Sequence, residues 1–509
     1  MRLNDFPPEL LSQVLGQLAH SVNPANALAH ASQHGLFNAR FVCRKWDALA
    51  TKHLFHTVTL KHDPRPVKYD RLVVKDGRLE REGDDRGNEF KSWNTLLDSE
   101  AVRNAAQCAV INSSPANMRK NADYRAWYKW EEKGEYPSFT KAIDRIVELP
   151  NLNEVHLRFS EVCRGVRDDG LSRTFWPHGV EPAPTRLSML SACFKAMAAR
   201  AKNDDASRIR SLILENVQNL SLESLTTPEM SSVVKDINSL AIMVTEEWNE
   251  YGPDQDVFFD ERWQFEPHLQ KDVLPLFSES LTSLSLGFRE YWGTMPGRFD
   301  GKGLVYPNLK TLTLYNYVFS HHDQIDWILA QTSLTSLRLV SCQVAYLLHA
   351  ETTSLQQWGV STHDWEELPD GAYDLWGPEW RTYRFDGTWE TIFDKIRTKL
   401  PNLTDFRFNN ADMSEPIFTF ANEENVLFPG RYILFNSGML PSPWLEAESD
   451  GDMEFGSNDP LPGDINDTEI PEDYPELNRG RETVEGDSRA FKDLLQAVAD
   501  RRKSSEHEA

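Results

Sequence analysis

Between positions 151 and 409 the chain repeats one short arrangement: an apolar residue, two others, an apolar residue, one other, an apolar residue. The copies are "LNEVHL" from 152, "IRSLIL" from 209, "INSLAI" from 237, "LTSLSL" from 281, "LKTLTL" from 309, "LTSLRL" from 334, "LQQWGV" from 355 and "LTDFRF" from 403. The last two anchors of each copy stand two residues apart, the period of a strand with one buried face. "LPNL" or "YPNL" introduces three of them, at 149, 306 and 400, where proline ends one element and starts the next. Helical spacing precedes several others, in "MLSACFKAMAARA" (189–201), "DQIDWILAQ" (323–331) and "WETIFDKIRTKL" (389–400). The repeating unit is one strand plus one helix.

First anchors follow one another at steps of 21 to 57 residues, so the short steps match leucine-rich repeats and the long ones imply insertions. A unit of this kind cannot bury its own apolar side, and stacking its neighbours gives an arc with parallel strands on the concave side and helices on the convex side. An ordinary doubly wound sheet needs strands that are apolar on both faces. Here the second face carries Ser283 and Ser285, Thr311 and Thr313, Ser336 and Arg338, Asp405 and Arg407. The pattern predicts an α/β protein whose strands have one buried and one wet face, over residues 57–444.

The N-terminal stretch "NDFPPELLSQVLGQL" follows a different period. Read as a helix, it gathers Leu10, Leu11, Val14, Leu15 and Leu18 on one side. Val42, Trp46, Leu49 and His53 share a second helical face, and Phe55, Val58 and Leu60 then repeat the strand spacing. "FPPELLSQVLGQL" followed by "FVCRKWDALA" resembles an F-box, the helical module by which substrate receptors attach to the Skp-type adaptor of cullin-based ubiquitin ligases. Phe6, Pro7, Glu9, Leu10, Leu11, Val14, Leu15 and Leu18 fit its first helix, and Val42, Cys43, Arg44, Trp46 and Leu49 fit its V-C-x-x-W-x-x-L signature. Phe6 stands where the family usually has Leu, and the stretch from Leu18 to Val42 is longer than usual.

The whole chain, including "GRYILFNSGMLPSPWLEAE", looks like the large fungal group of F-box proteins with irregular leucine-rich repeats. The resemblance implies an all-helical module over residues 1–56 that binds the adaptor, and through it a cullin, with a repeat domain that holds a target protein. A receptor of that kind is no enzyme and needs no cofactor. A repeat scaffold without any ligase role is the other reading.

Composition narrows the field. The net charge of −24 opposes general affinity for nucleic acid or anionic membrane. Five scattered cysteines without a C-x-x-C pair are poor material for disulfides or thiolate metal sites, and no apolar run is long enough for a membrane span. These features point to the cytoplasm or nucleus. No G-x-S-x-G, G-x-x-x-x-G-K-S/T or H-E-x-x-H is present. His321, His322 and Asp323 are adjacent, so they point in different directions, and the place reads as a helix start capped by Ser320, with no metal expected.

Insertions following the strand motifs hold many of the tryptophans, and aromatic residues on loops held by a rigid scaffold suit recognition. Trp248, Trp263, Trp365, Trp376 and Trp380 are the expected target anchors, with Tyr315, Arg338 and Arg407 on the concave face beside them. Residues 445–487 carry fifteen Asp or Glu against two Arg, which reads as a disordered linker. Beyond it, Phe491, Leu494, Leu495 and Val498 mark a short amphipathic helix over 488–503, with Asp487 or Ser488 as its cap and Arg501 and Arg502 at its C-terminal dipole.

Overall fold

The computed structural model describes residues 7–20, 35–62, 72–75, 78–81, 90–113, 137–161, 163–164, 181–245, 260–374, 377–410, 424–436 and 479–508, and every structural statement concerns these. The fold is mixed α/β, with an open sheet whose strands run mostly parallel. The chain divides into two compact units, residues 1–160, 173–213 and 227–236, and residues 161–172, 214–226 and 237–509.

In the first unit, helices α1 (Pro8–His20), α2 (Gly35–Ala39) and α3 (Arg44–Leu54) lead into strand β1 (Thr57–Leu60). Strands β2 (Cys108–Asn112) and β3 (Glu154–Arg158) continue from β1 in parallel register, Val58 beside Ala109 beside Val155 and Leu60 beside Ile111 beside Leu157. Strand β2 lacks the hydrophobic signature of the eight copies, because alanine stands at two of the three anchor positions of "AQCAVI"; Ala106, Ala109 and Ile111 are nevertheless fully buried. The motif from 209 forms β4 (Ser211–Gln218).

In the second unit, β5 (Ser239–Thr245), β6 (Ser283–Trp292), β7 (Thr311–Phe319), β8 (Ser336–Val340) and β12 (Asp405–Asn409) carry the remaining strand copies. Between β8 and β12 in sequence lie β9 (Gln343–Glu351), β10 (Trp365–Glu367) and β11 (Trp380–Phe385), and β13 (Tyr432–Asn436) follows β12. The motif strands pair without a slip: Leu240, Leu284, Leu312, Leu337 and Phe406 form one row, and Ile242, Leu286, Leu314, Leu339 and Phe408 the next. All three anchors of every one of these copies are buried. One backbone device recurs at each step, in which a single carbonyl ahead of one strand accepts the N–H groups of two successive residues of the next: Asn238 O from Thr282 and Ser283, Thr282 O from Lys310 and Thr311, Lys310 O from Thr335 and Ser336, Thr335 O from Thr404 and Asp405. In the first unit His56 O, Gln107 O and Asn153 O serve the same way. Register is thus set twice, by the buried anchors and by these shared carbonyls.

The copy from 355 is no strand. Thr352–Trp358 is a helix, ended by Gly359 in the left-handed region at φ 67°. Anchors three apart fit a helix turn as well as a strand lead-in, and Gly359 in the strand's place removes the side chain that would have decided for a strand. Beyond the motifs, β9 pairs with the end of β7, runs parallel to β13 and antiparallel to β11, which in turn pairs with β10.

The C-terminal helix starts at Arg479, inside the stretch expected as linker, and runs to Glu508. It packs along the helix Trp389–Lys399, burying Ala490, Phe491, Leu494 and Val498, and the Phe491 ring lies 5.1 Å from that of Phe393. Asp487 does not cap its own helix. Residues 437–478 lie outside the described residues.

Candidate functional site

Helix α1 opens with Pro8, whose missing N–H costs nothing in a first turn, and Glu9 complements the positive end of the dipole. Its apolar stripe is divided. Leu11 and Leu15 are fully buried among Leu36, Ala39 and Ala50, with Trp46, Leu49 and Leu54 packed around them. Leu10 and Val14, one turn apart on the flank of the stripe, remain 46% and 51% exposed. In the same module, the turn after α2 leaves Phe41 77% and Val42 55% exposed. Nine large apolar residues are exposed among the described residues, and these four fall within 33 positions of one another.

The module that carries them is firmly built. Gly16 brings α1 so close to α3 that a Cβ there would stand 3.3 Å from the His53 ring, and Ser12 Oγ lies 2.9 Å from His53 Nε2. Arg40 Nε donates to Asp47 at 2.8 Å, and its guanidinium sits 5.7 Å from the centre of the Phe55 ring. Phe41 meets Phe37 edge to face at 5.4 Å. Covering the four exposed side chains is worth about 3–6 kcal/mol in total, counting only the surface still in water.

The structure therefore sorts the residues expected at the adaptor contact. Pro7, Glu9, Leu10, Val14, Val42 and Cys43 are on the outside, whereas Leu11, Leu15, Trp46 and Leu49 hold the module together. Leu18 lies in α1, and Phe6 lies outside the described residues. Phe41 is an exposed apolar residue that the sequence pattern does not single out; its only signal is an aromatic side chain directly ahead of Val42.

The expected target anchors divide too. Trp365 is buried, its Nε1 donating to Ser320 O at 2.6 Å and its ring 4.9 Å from that of His321, so it is a packing residue. Tyr315 is buried as well, because Gly287 lets Tyr315 and Met243 close over the sheet; a Cβ at Gly287 would meet the two at 2.7 and 2.8 Å. Trp263 is half-buried, Trp380 is half-buried against His349 at 5.0 Å, and Trp248 and Trp376 lie outside the described residues.

On the second face of the ladder only the first row, Ser239, Ser283, Thr311, Ser336 and Asp405, is evenly half-exposed. In the next row Ala241, Ser285 and Thr313 are buried while Arg338 and Arg407 stay half-exposed, and the third row, Met243, Tyr315, Val340 and Asn409, is buried. The wet face is thus a border along one end of the strands. At that border Asp405 accepts from Ser336 Oγ at 2.8 Å and lies 3.7 Å from Arg338 and 3.5 Å from Arg407.

One buried carboxyl stands apart from these surfaces. Glu266 accepts the Gly293 N–H at 3.0 Å, and burial pushes its pKa up to about 8.

Fold and surface together define an α/β protein with an in-register parallel ladder and an N-terminal helical module that leaves four large apolar side chains uncovered. No protein-family model matches the sequence, and no curated protein matches it.

Proposed function

We propose that the chain is the substrate receptor of a cullin-based ubiquitin ligase, with an F-box-like module that docks a Skp-type adaptor and a leucine-rich-repeat domain that holds a target protein. The observation that carries the reading is the divided stripe of α1: two leucines build the module, while Leu10 and Val14, like Phe41 and Val42 of the same module, stay in water. A rigid helical unit with an uncovered apolar flank is suited to a groove or helix on another chain. The repeated anchors and shared carbonyls of the ladder support the second half of the proposal, because they describe stacked repeat units. No step of catalysis is assigned to this chain; it acts by raising the effective concentration of a target near the transferring enzyme.

The test is co-purification of the full chain with a Skp-type adaptor, comparing it with Leu10→Ser/Val14→Ser. Thermal unfolding of the variant is expected to stay within about 0.5 kcal/mol of the parent, as for exposed positions, while adaptor capture falls at least about tenfold. An intact chain that leaves the adaptor unbound, or a variant that captures it equally well, overturns the proposal; capture of other partners without the adaptor would indicate a repeat scaffold instead.

A further inference from the structure

The loop 361–365 is fastened to the turn 320–323, forty residues earlier in sequence and within the same unit, by three hydrogen bonds. His321 Nε2 donates to Ser361 O at 2.6 Å, the His322 N–H to Asp364 Oδ2 at 2.9 Å, and Trp365 Nε1 to Ser320 O at 2.6 Å. His321 is buried and its ring stacks 5.3 Å from that of His363, so it supports the loop from below. This frame gathers three outward donors: a carboxylate oxygen of Asp323, one of Asp364 and a ring nitrogen of His363, all within 4.8 Å of one another.

We propose that Asp323, His363 and Asp364 form a site for one zinc-type divalent cation. His363 Nε2 and Asp364 Oδ1 lie 3.3 Å apart, and a zinc ion about 2.0–2.1 Å from each holds tetrahedral donors at roughly that separation. Ser361 Oγ stands 2.9 Å from His363 Nδ1, and in the tautomer in which Nδ1–H donates to it the Nε2 lone pair is left for the ion. Asp364 is oriented the same way, its second oxygen held by the His322 N–H. Two carboxylates match the charge of a dication, and among the described residues no ion pair joins either of them to a Lys or Arg. The imidazole favours zinc over magnesium or calcium, which ask for six or more oxygens. Asp323 is exposed and its carboxylate oxygen lies within 4.8 Å of the other two donors, and three protein donors leave a fourth position for water or for a donor from a bound protein.

The proposal is independent of the adaptor reading, since all three residues lie outside the N-terminal module. Chelator-treated full chain is titrated with Zn²⁺ calorimetrically and with Co²⁺ by absorption. The expected result is one ion per chain with a tetrahedral Co²⁺ spectrum, about 100-fold weaker binding for His363→Ala and Asp364→Asn, and about tenfold weaker binding for Ser361→Ala. Asp386→Asn, which alters the nearby His322–Asp386 pair, is expected to leave affinity unchanged. Failure to bind Zn²⁺ below about 100 μM, an octahedral Co²⁺ spectrum, or equal affinity in the His363 and Asp364 variants overturns the site and leaves an adventitious ion only.

Discussion

Replacing Asp487 with Ala is expected to release the C-terminal helix. Asp487 is fully buried and accepts from Arg431 Nε at 2.8 Å, Tyr432 Oη at 3.0 Å, Thr483 Oγ1 at 2.8 Å and the Glu390 N–H at 2.9 Å. The last of these reaches the first turn of Trp389–Lys399, whose free N–H groups are all answered: Trp389 by Tyr432 Oη, Glu390 by Asp487, Thr391 by Thr388 Oγ1. At the other end of that helix Arg501 donates to the carbonyls of Arg397 at 2.6 Å and Leu400 at 3.0 Å. One helix thus supplies an anion to the N-terminus and a cation to the C-terminus of its neighbour, in accord with the neighbour's dipole. The Ala variant loses the pair and leaves Arg431, only 3% exposed, with an uncompensated charge. Breaking a buried pair on one side costs about 3–5 kcal/mol. The assay is urea unfolding joined to amide exchange: protection over 479–508 should fall with the global value, and Arg431→Met/Asp487→Leu should recover about half of the loss. A change below about 1 kcal/mol with protection of 479–508 intact would refute the reasoning.

Three further outcomes follow from other residues. Glu266 titrates near 8 when folded and near its ordinary 4.5 when unfolded, so the folded state binds the extra proton between those values and stability falls as pH rises through that window. Glu266→Gln should therefore gain on the order of 2–4 kcal/mol relative to the parent at pH 9 compared with pH 4, measured by denaturant unfolding at both. Gly301 has φ +62° and faces Trp327, whose ring would lie 2.1 Å from an added Cβ, so Gly301→Ala should cost more than about 2 kcal/mol in thermal unfolding. Trp365→Ala should destabilise by about 3–5 kcal/mol, and a variant that folds normally but loses a binding partner would return Trp365 to the recognition surface.

How much of this was legible in the sequence depended on whether a residue's role was local. The strand motifs were readable because their anchors are close together and every neighbour repeats them, so Leu284, Leu312 and Leu337 fell into one row. Where the anchor was small, as at Ala106 and Ala109, the same geometry was present without the hydrophobic signal. The divided stripe of α1 was half legible: its spacing gave the five apolar positions, but which of them faced α2 and α3 depended on Gly16 and His53 meeting across the module. Asp487, expected with Ser488 as a candidate cap of its own helix, lies inside that helix and caps Trp389–Lys399 instead, since a capping residue is recognised by sequence only when it caps the residues that follow it. Nothing in "GDSRAF" announces a partner ninety-seven positions earlier. A gap of forty positions likewise separates Asp323 from His363 in the string, where adjacency is the only metal signal.

The clasp made by Asp487 and Arg501 also sets an order of events during synthesis. Phe393, Phe406 and Phe408 line the surface that Phe491 and Leu494 finally cover. A growing chain therefore leaves this greasy seam uncovered until Phe491 and Leu494 have been made, and a product truncated ahead of them carries exposed apolar surface that favours aggregation.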